Sequence, residues 1–272
     1  MKKVLSLSLL LFFSFLLSAH EFWLEPERFI YEPGDAINIR FLVGENFEGE
    51  NWKGNRSKVN QINFYSKDFT DELTSEISDD NGDSLQVSLN DEGTVMLTFN
   101  SNNSFINLEA EKFNDYLKED GIQTTIDYRR EHNQTDSSGK EYYQRSVKTI
   151  LQIGEQKDNT CSKKTTLPLD IIPLQNPYDL KENDSLTVKI LFKKNPLKDA
   201  LIKVWNRIDN HTSFVDYTSN EKGEIRLPVS LKGKWMVSTV KMIKLDNDKE
   251  ADWQSYWGSL TWGYSNQLTF SN

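Results

Sequence analysis

Apolar and polar residues alternate with a period of two along most of the chain, the spacing that sends successive side chains to opposite faces of a half-buried strand. "AINIRFLVG" sets Ile37, Ile39 and Phe41 against Asn38 and Arg40, directly after the Pro-Gly turn of "YEPGD". The same period returns in "VNQINFY", in "SLQVSLN" after "DDNGD", and in "TVMLTF" after "NDEG". One stretch breaks it. In "INLEAEKFNDYLKEDG", Phe113, Tyr116 and Leu117 follow helical spacing, Glu109 and Glu111 suit a first turn and Gly121 a stop, which predicts one short helix. The polar "IDYRREHNQTDSSGKEY" reads as a loop before a long strand, "YQRSVKTILQI", with Tyr143, Val147, Leu151 and Ile153 on one face.

Pro168, Pro173 and Pro177 then punctuate a stretch that reads as an extended linker. From Ser185 the alternation resumes in "SLTVKILF", "ALIKVWNR", "TSFVDYT", "IRLPVS" and "GKWMVSTVKMI". Short strands at this density predict a mostly β fold of two β-sandwich modules, immunoglobulin-like or transthyretin-like, with the short helix in the first. The expected boundaries are 20–160 for the first module, 161–184 for the linker and 185–272 for the second.

The opening is different again. Lys2 and Lys3 precede an apolar run from Val4 to Leu17 that Ser18 and Ala19 close, the layout of a secretory signal peptide over 1–19. The exported chain is expected to begin at His20, in the periplasm or secreted. A bilayer span needs about 20 apolar residues, so no span is expected after cleavage. The chain carries 32 basic and 41 acidic residues; loss of Lys2 and Lys3 leaves 30 against 41, a net charge of −11. Such acidity argues against nucleic acid as a partner. Cys161 is the single cysteine, which excludes a disulfide framework and a cysteine zinc site, and its surroundings, "KDNTCSKKTT", read as a polar surface loop.

Taken in order, "AHEFWLEP", "YEPGD", "EYYQRSVKTILQIG", "LPLDIIPLQNPYDLKENDSL" and "DWQSYWGSLTW" resemble an exported bacterial domain-of-unknown-function family whose members are labelled nickel-uptake, NikM-like. The resemblance spans nearly all of the chain after the signal. It implies a periplasmic β-rich protein linked to transition-metal uptake, with an envelope transporter or receptor as partner. "KNPLKDALIKVWNR" followed by "TSNEKGEIRLPV" resembles carboxypeptidase-regulatory-like, transthyretin-like β domains, which bind or space rather than catalyse.

Three histidines, His20, His132 and His211, carry the case for metal. An N-terminal His20 would offer an amine and an imidazole to one ion, and a second imidazole, His211 at a hairpin tip or His132 on a loop, would complete a nitrogen site suited to Ni or Cu. Trp253, Tyr256, Trp257 and Trp262 form an aromatic cluster that serves either as core or as a carbohydrate-binding or receptor-binding surface. Carboxylate pairs such as Glu25 with Glu27, or Asp127 with Glu131, have no spacing that sets an acid and base apart, and "SDDNGDSLQVSLND" misses the calcium-loop pattern. The expectation is a non-enzymatic protein that binds a metal or a partner; the alternatives are a carbohydrate-binding or receptor-binding module and a copper oxidative enzyme with an N-terminal histidine.

Overall fold

The computed structural model describes residues 21–265. Its first strands are β1 (Glu21–Pro26), β2 (Ile30–Tyr31), β3 (Ala36–Glu45), β4 (Glu48–Asn51), β5 (Val59–Tyr65), β6 (Thr70–Glu72), β7 (Ser84–Ser88), β8 (Gly93–Ser101) and β9 (Ser104–Leu108). Helices α1 (Ala110–Glu119) and α2 (Gln123–Glu131) follow, then β10 (Gly139–Ile153), β11 (Leu169–Pro173), β12 (Ser185–Phe192) and β13 (Asn195–Pro196). The series ends with β14 (Leu201–Ile208), β15 (His211–Thr218), β16 (Glu224–Pro228), β17 (Lys234–Lys244) and β18 (Trp253–Gly263).

The long middle sheet runs β15-β14-β17-β18-β10-β8-β5-β6, with β2 and β9 also paired to β10. Two smaller sheets cover it, β1-β3-β4 with β7, and β11-β12-β13 with β16. Alternation decides which face each one covers. Along β8 and β10, Val95, Leu97, Phe99, Val147, Leu151 and Ile153 pack with Phe22, Ile39 and Phe41 of the first small sheet. Met96 and Ile150, one residue out of phase, pack instead with Leu169, Val188 and Ile225 of the other. Strands covered on both sides lose their polar face, and every residue of β8 is buried. The β-sandwich prediction therefore holds, with the long sheet as the shared middle layer.

Nine positions pair β10 with β18 in parallel, from Glu141 opposite Trp253 to Thr149 opposite Thr261. The long sheet thus crosses the 161–184 stretch without a break, and Leu169–Pro173 within that stretch is a buried strand paired to β12 rather than linker.

Two further expectations are corrected. Helix α2 occupies part of the expected loop; its inner side is made by Thr125 and by Arg129, which donates to the Ser137 carbonyl at 2.7 Å and lies 4.8 Å over the Phe113 ring. A helix that buries an arginine shows little apolar stripe in sequence. Cys161 is fully buried in the core rather than on the surface, and burial pushes its thiol up to about 11, so it stays protonated and unreactive. Helix α1 forms as expected, with Phe113, Tyr116 and Leu117 buried and Gly121 at φ +62 after its end.

Candidate functional site

His20 lies outside the described residues. The other two histidines sit far apart. His132 caps the C-terminal end of α2, its ring stacked 3.9 Å from that of Tyr128, over which Lys244 of β17 also lies. His211 opens β15 opposite Ile208, exposed, next to the start of β17, where Arg207 faces Lys234. Lys234 and Lys244 bound a strand of 11 residues, so about 33 Å separates the two ends and one ion cannot take both imidazoles. Among the described residues no three His, Cys, Asp or Glu side chains come together as metal ligands.

The aromatic cluster divides as strand alternation requires. Trp253 and Trp257 face the helices, where Trp257 stacks on Tyr116 at 5.6 Å, while Trp262 stacks on Trp235 at 5.9 Å and Tyr256 meets Phe192 at 5.0 Å on the opposite face. Trp253 and Trp262 are buried. The four rings form no common platform.

At the entry of β1, the Glu21 carboxyl is buried with Asp120 and Lys203 around a cavity of about 20 Å³, room for one water molecule. Burial pushes Glu21 up to about 7 against the pull of Lys203. Burial alone would lower the Lys203 ammonium, but Asp120, 3.0 Å away, carries it above its ordinary value. Behind Trp257, Glu141 is buried and accepts bonds from Tyr116 and Ser255; burial lifts it to about 7. This end of β1 faces α1, whereas the other end, at Glu25, faces the start of β17 and the turn before His211. Four residues of strand, about 13 Å, therefore separate Glu21 from the His211 side.

That other end opens into a cleft of about 680 Å³ between the β3–β4 hairpin and the β14–β15 turn. Both turns are two-residue loops, since Glu45 pairs with Glu48 and Ile208 with His211. Asn46 and Phe47 both take positive φ, 54° and 57°, which gives the hairpin the twist of its strands but is unfavourable for a residue as bulky as Phe47. Packing holds it there. The Phe47 ring is buried against Trp23, at 5.4 Å and nearly perpendicular, with the Lys234 ammonium 4.5 Å over its face. Gly233, at φ +67, lets the chain pass close to the Arg207 carbonyl; a Cβ there would come within 2.1 Å of that oxygen.

The charges on the walls are paired. Glu25, almost wholly buried, accepts from Trp23 Nε1 at 2.8 Å and from Lys234 Nζ at 2.6 Å. Arg207 donates across the cleft to Glu48 at 2.6 Å and to Thr212 at 2.7 Å. With Arg40 and Asp209 the lining holds three cations and three anions, a balance suited to a polar or zwitterionic solute rather than a polyion. Sequence reasoning noticed Glu25 only as a neighbour of Glu27; its partner Lys234 is 209 residues away, a separation no local pattern encodes.

The family model described as Domain of unknown function (DUF4198) matches residues 17–242. No curated protein matches the chain. Among solved structures, fibronectin(III)-like modules of Clostridium thermocellum CbhA share 10% identity over 90% of this chain and 95% of theirs, with a TM-score of 0.20. A chimeric titin Z1Z2-Z1Z2 tandem shares 10% over 89% of this chain and 97% of its own, at 0.21. An α2-macroglobulin of Salmonella shares 8% over 91% of this chain and 15% of its own, at 0.22. Overlap that loose carries neither fold nor function to this chain. No helix among the described residues is long and apolar enough to cross a membrane.

Proposed function

The chain belongs to the DUF4198 family, and from that premise we propose that it serves the cell envelope, in the periplasm or secreted, as a non-enzymatic binding protein that holds a small polar solute in the cleft beneath the β3–β4 hairpin. One observation carries this reading: a cleft of about 680 Å³ is walled by ion pairs whose members come from different sheets, Glu25 with Lys234 and Glu48 with Arg207. Such a frame is rigid, sized for a small molecule, and presents fixed dipoles without a strong net field. Binding rather than catalysis is supported by Glu25, whose two oxygens are both engaged by neighbours and so are poorly placed to move protons. The test is a thermal-shift screen of zwitterionic solutes, amino acids first, against the wild type and Arg207→Met. A ligand at 100 times its Kd stabilises the folded state by about 2.7 kcal/mol. A screen in which no small solute shifts the midpoint, or in which Arg207→Met responds as the wild type does, ends the proposal.

A second reading, binding of nickel or copper at His20 in support of uptake through an envelope transporter, is favoured by the buried carboxyl of Glu21, the next residue in sequence, which shares a small cavity with the buried Asp120 carboxyl. Lys203 counts against it, because its ammonium already neutralises Asp120. Titration of both metals into the protein starting at His20, and into a form with one alanine added before it, separates chelation by the amine from a bare imidazole contact. Equal affinities in the two forms would dismiss the chelate.

A further inference from the structure

A second groove, of about 510 Å³, lies on the other side of the β3–β4 hairpin, between Trp52 and Lys58 on one wall and Ser104, Phe105, Tyr143 and Arg145 on the other. Arg145 is its unusual member. Three other arginines that are partly or wholly buried have oxygen partners: Arg28 sits 2.7 Å from Asp35, Arg207 2.6 Å from Glu48, and Arg129 donates to the Ser137 carbonyl. The Arg145 guanidinium instead lies between two aromatic rings, 4.9 Å from the centroid of Phe22 and 5.1 Å from that of Tyr143. Among the described residues it forms no ion pair, and neither does Lys58 across the groove. Burial lowers the pKa of the guanidinium, with Tyr143 pulling the other way.

Withdrawing a guanidinium from water is costly unless acceptors replace the lost hydration, and the flanking residues supply ring attraction and, as acceptor, only the Tyr143 hydroxyl for a group with five N–H donors. The planar fork of Arg145 is thus held in place where it lines the groove, and a fork so placed accepts a carboxylate with charge-assisted bonds. The remaining walls indicate what carries that carboxylate. Trp52 is fixed edge-on to Phe22 and Phe99, each at 5.6 Å, and Phe105 is half exposed at the rim, so apolar ring surface lines the groove beside the charge. Asn103 and Ser104 add hydroxyl-binding groups. In a chain with a net charge of −9, a polyanion is repelled before it arrives, which leaves a ligand with one negative charge.

We propose that this groove binds a carboxylated sugar of the uronate class, its carboxylate on Arg145 and Lys58 and its apolar ring face against Trp52 and Phe105. The site is separate from the cleft on the other side of the hairpin, and neither proposal depends on the other.

Isothermal titration with glucuronate, glucose and inorganic phosphate tests it on the folded protein. Glucuronate binds saturably, while glucose, which lacks the charge, and phosphate, which lacks the ring, bind at least about tenfold more weakly, the scale of one lost charge-assisted contact. Arg145→Gln and Lys58→Gln each weaken glucuronate and leave the weak glucose signal unchanged; Phe105→Ala weakens both sugars and not phosphate. Lys58 and Phe105 are exposed, so those two variants decide the matter should Arg145→Gln fail to fold. Absence of saturable glucuronate binding at about 10 mM, well above the weakest useful Kd, overturns the proposal. Equal affinity for glucuronate and phosphate overturns the sugar, and equal affinity for glucuronate and glucose overturns the role of Arg145.

Discussion

Lys234 Nζ stands 2.6 Å from Glu25 Oε1, joining the first described strand to β17 across 209 residues of chain. Removing the cation alone leaves a buried carboxylate without its partner, so Lys234→Met is expected to cost about 3–5 kcal/mol in urea unfolding. The double variant with Glu25→Gln is expected to cost less than the sum of the two single ones. Strict additivity would show that the pair does not interact as its geometry implies.

Stability should fall as pH rises from about 4.5 to about 7. Glu141 and Glu21 are each lifted from an ordinary 4.5 to about 7, chiefly by burial. The folded state therefore binds more protons than the unfolded one in that window, and the stabilisation, complete below the unfolded pKa, disappears as pH passes the folded one. Glu141→Gln should flatten the fall by up to roughly 3 kcal/mol, at about 1.4 kcal/mol per pKa unit. Urea midpoints at the two ends of the window check this; an unchanged slope in Glu141→Gln would assign the effect to other groups.

Trp257 is expected to be structural. Its ring stacks on Tyr116, and its Nε1 donates to Ser255 Oγ at 3.0 Å. Trp257→Ala should lower stability by about 3 kcal/mol, at the low end for a large aromatic because the ring is only partly buried. A midpoint that does not move would return Trp257 to the surface.

Much of the fold was legible because a strand with one face in a core announces itself in alternation, as Ile37, Ile39 and Phe41 do. Helix α2 was hidden because Arg129 takes the place of an apolar residue on its inner side, and Cys161 was misplaced because polar neighbours surround a thiol that itself enters the core. The site was less legible still. Glu25 with Lys234, Glu48 with Arg207, and Arg145 with Phe22 meet only through sheet stacking, which no window of consecutive residues contains. His132 and His211, legible as residues, lie by opposite ends of one strand, β17.

The two halves of the chain are not expected to fold apart. Residues 20–160 alone would leave the buried side of β10 without β18, and would strand Lys148, whose ammonium is paired in the interior with Asp170. Expressed singly, 20–160 and 161–272 should each lack cooperative thermal unfolding, and mixing them, which brings β11 and Asp170 back to β10, should restore part of it. A sharp transition in either fragment would establish it as an independent domain.

The parallel pairing of β10 with β18 also sets an order of events. Glu141 and Ser255, bonded in the finished sheet, are 114 residues apart, so β10 must wait for nearly half the chain before its second edge is closed. Its antiparallel neighbours β8 and β9 are close at hand and can zip early, whereas the contact that completes the sheet is among the most remote and the slowest to find. Until then β10 offers a row of open backbone groups, and at high concentration the β18 of another copy fits that row as well as its own. Refolding yield should therefore fall with protein concentration, and exchanged dimers are the product to look for among the losses.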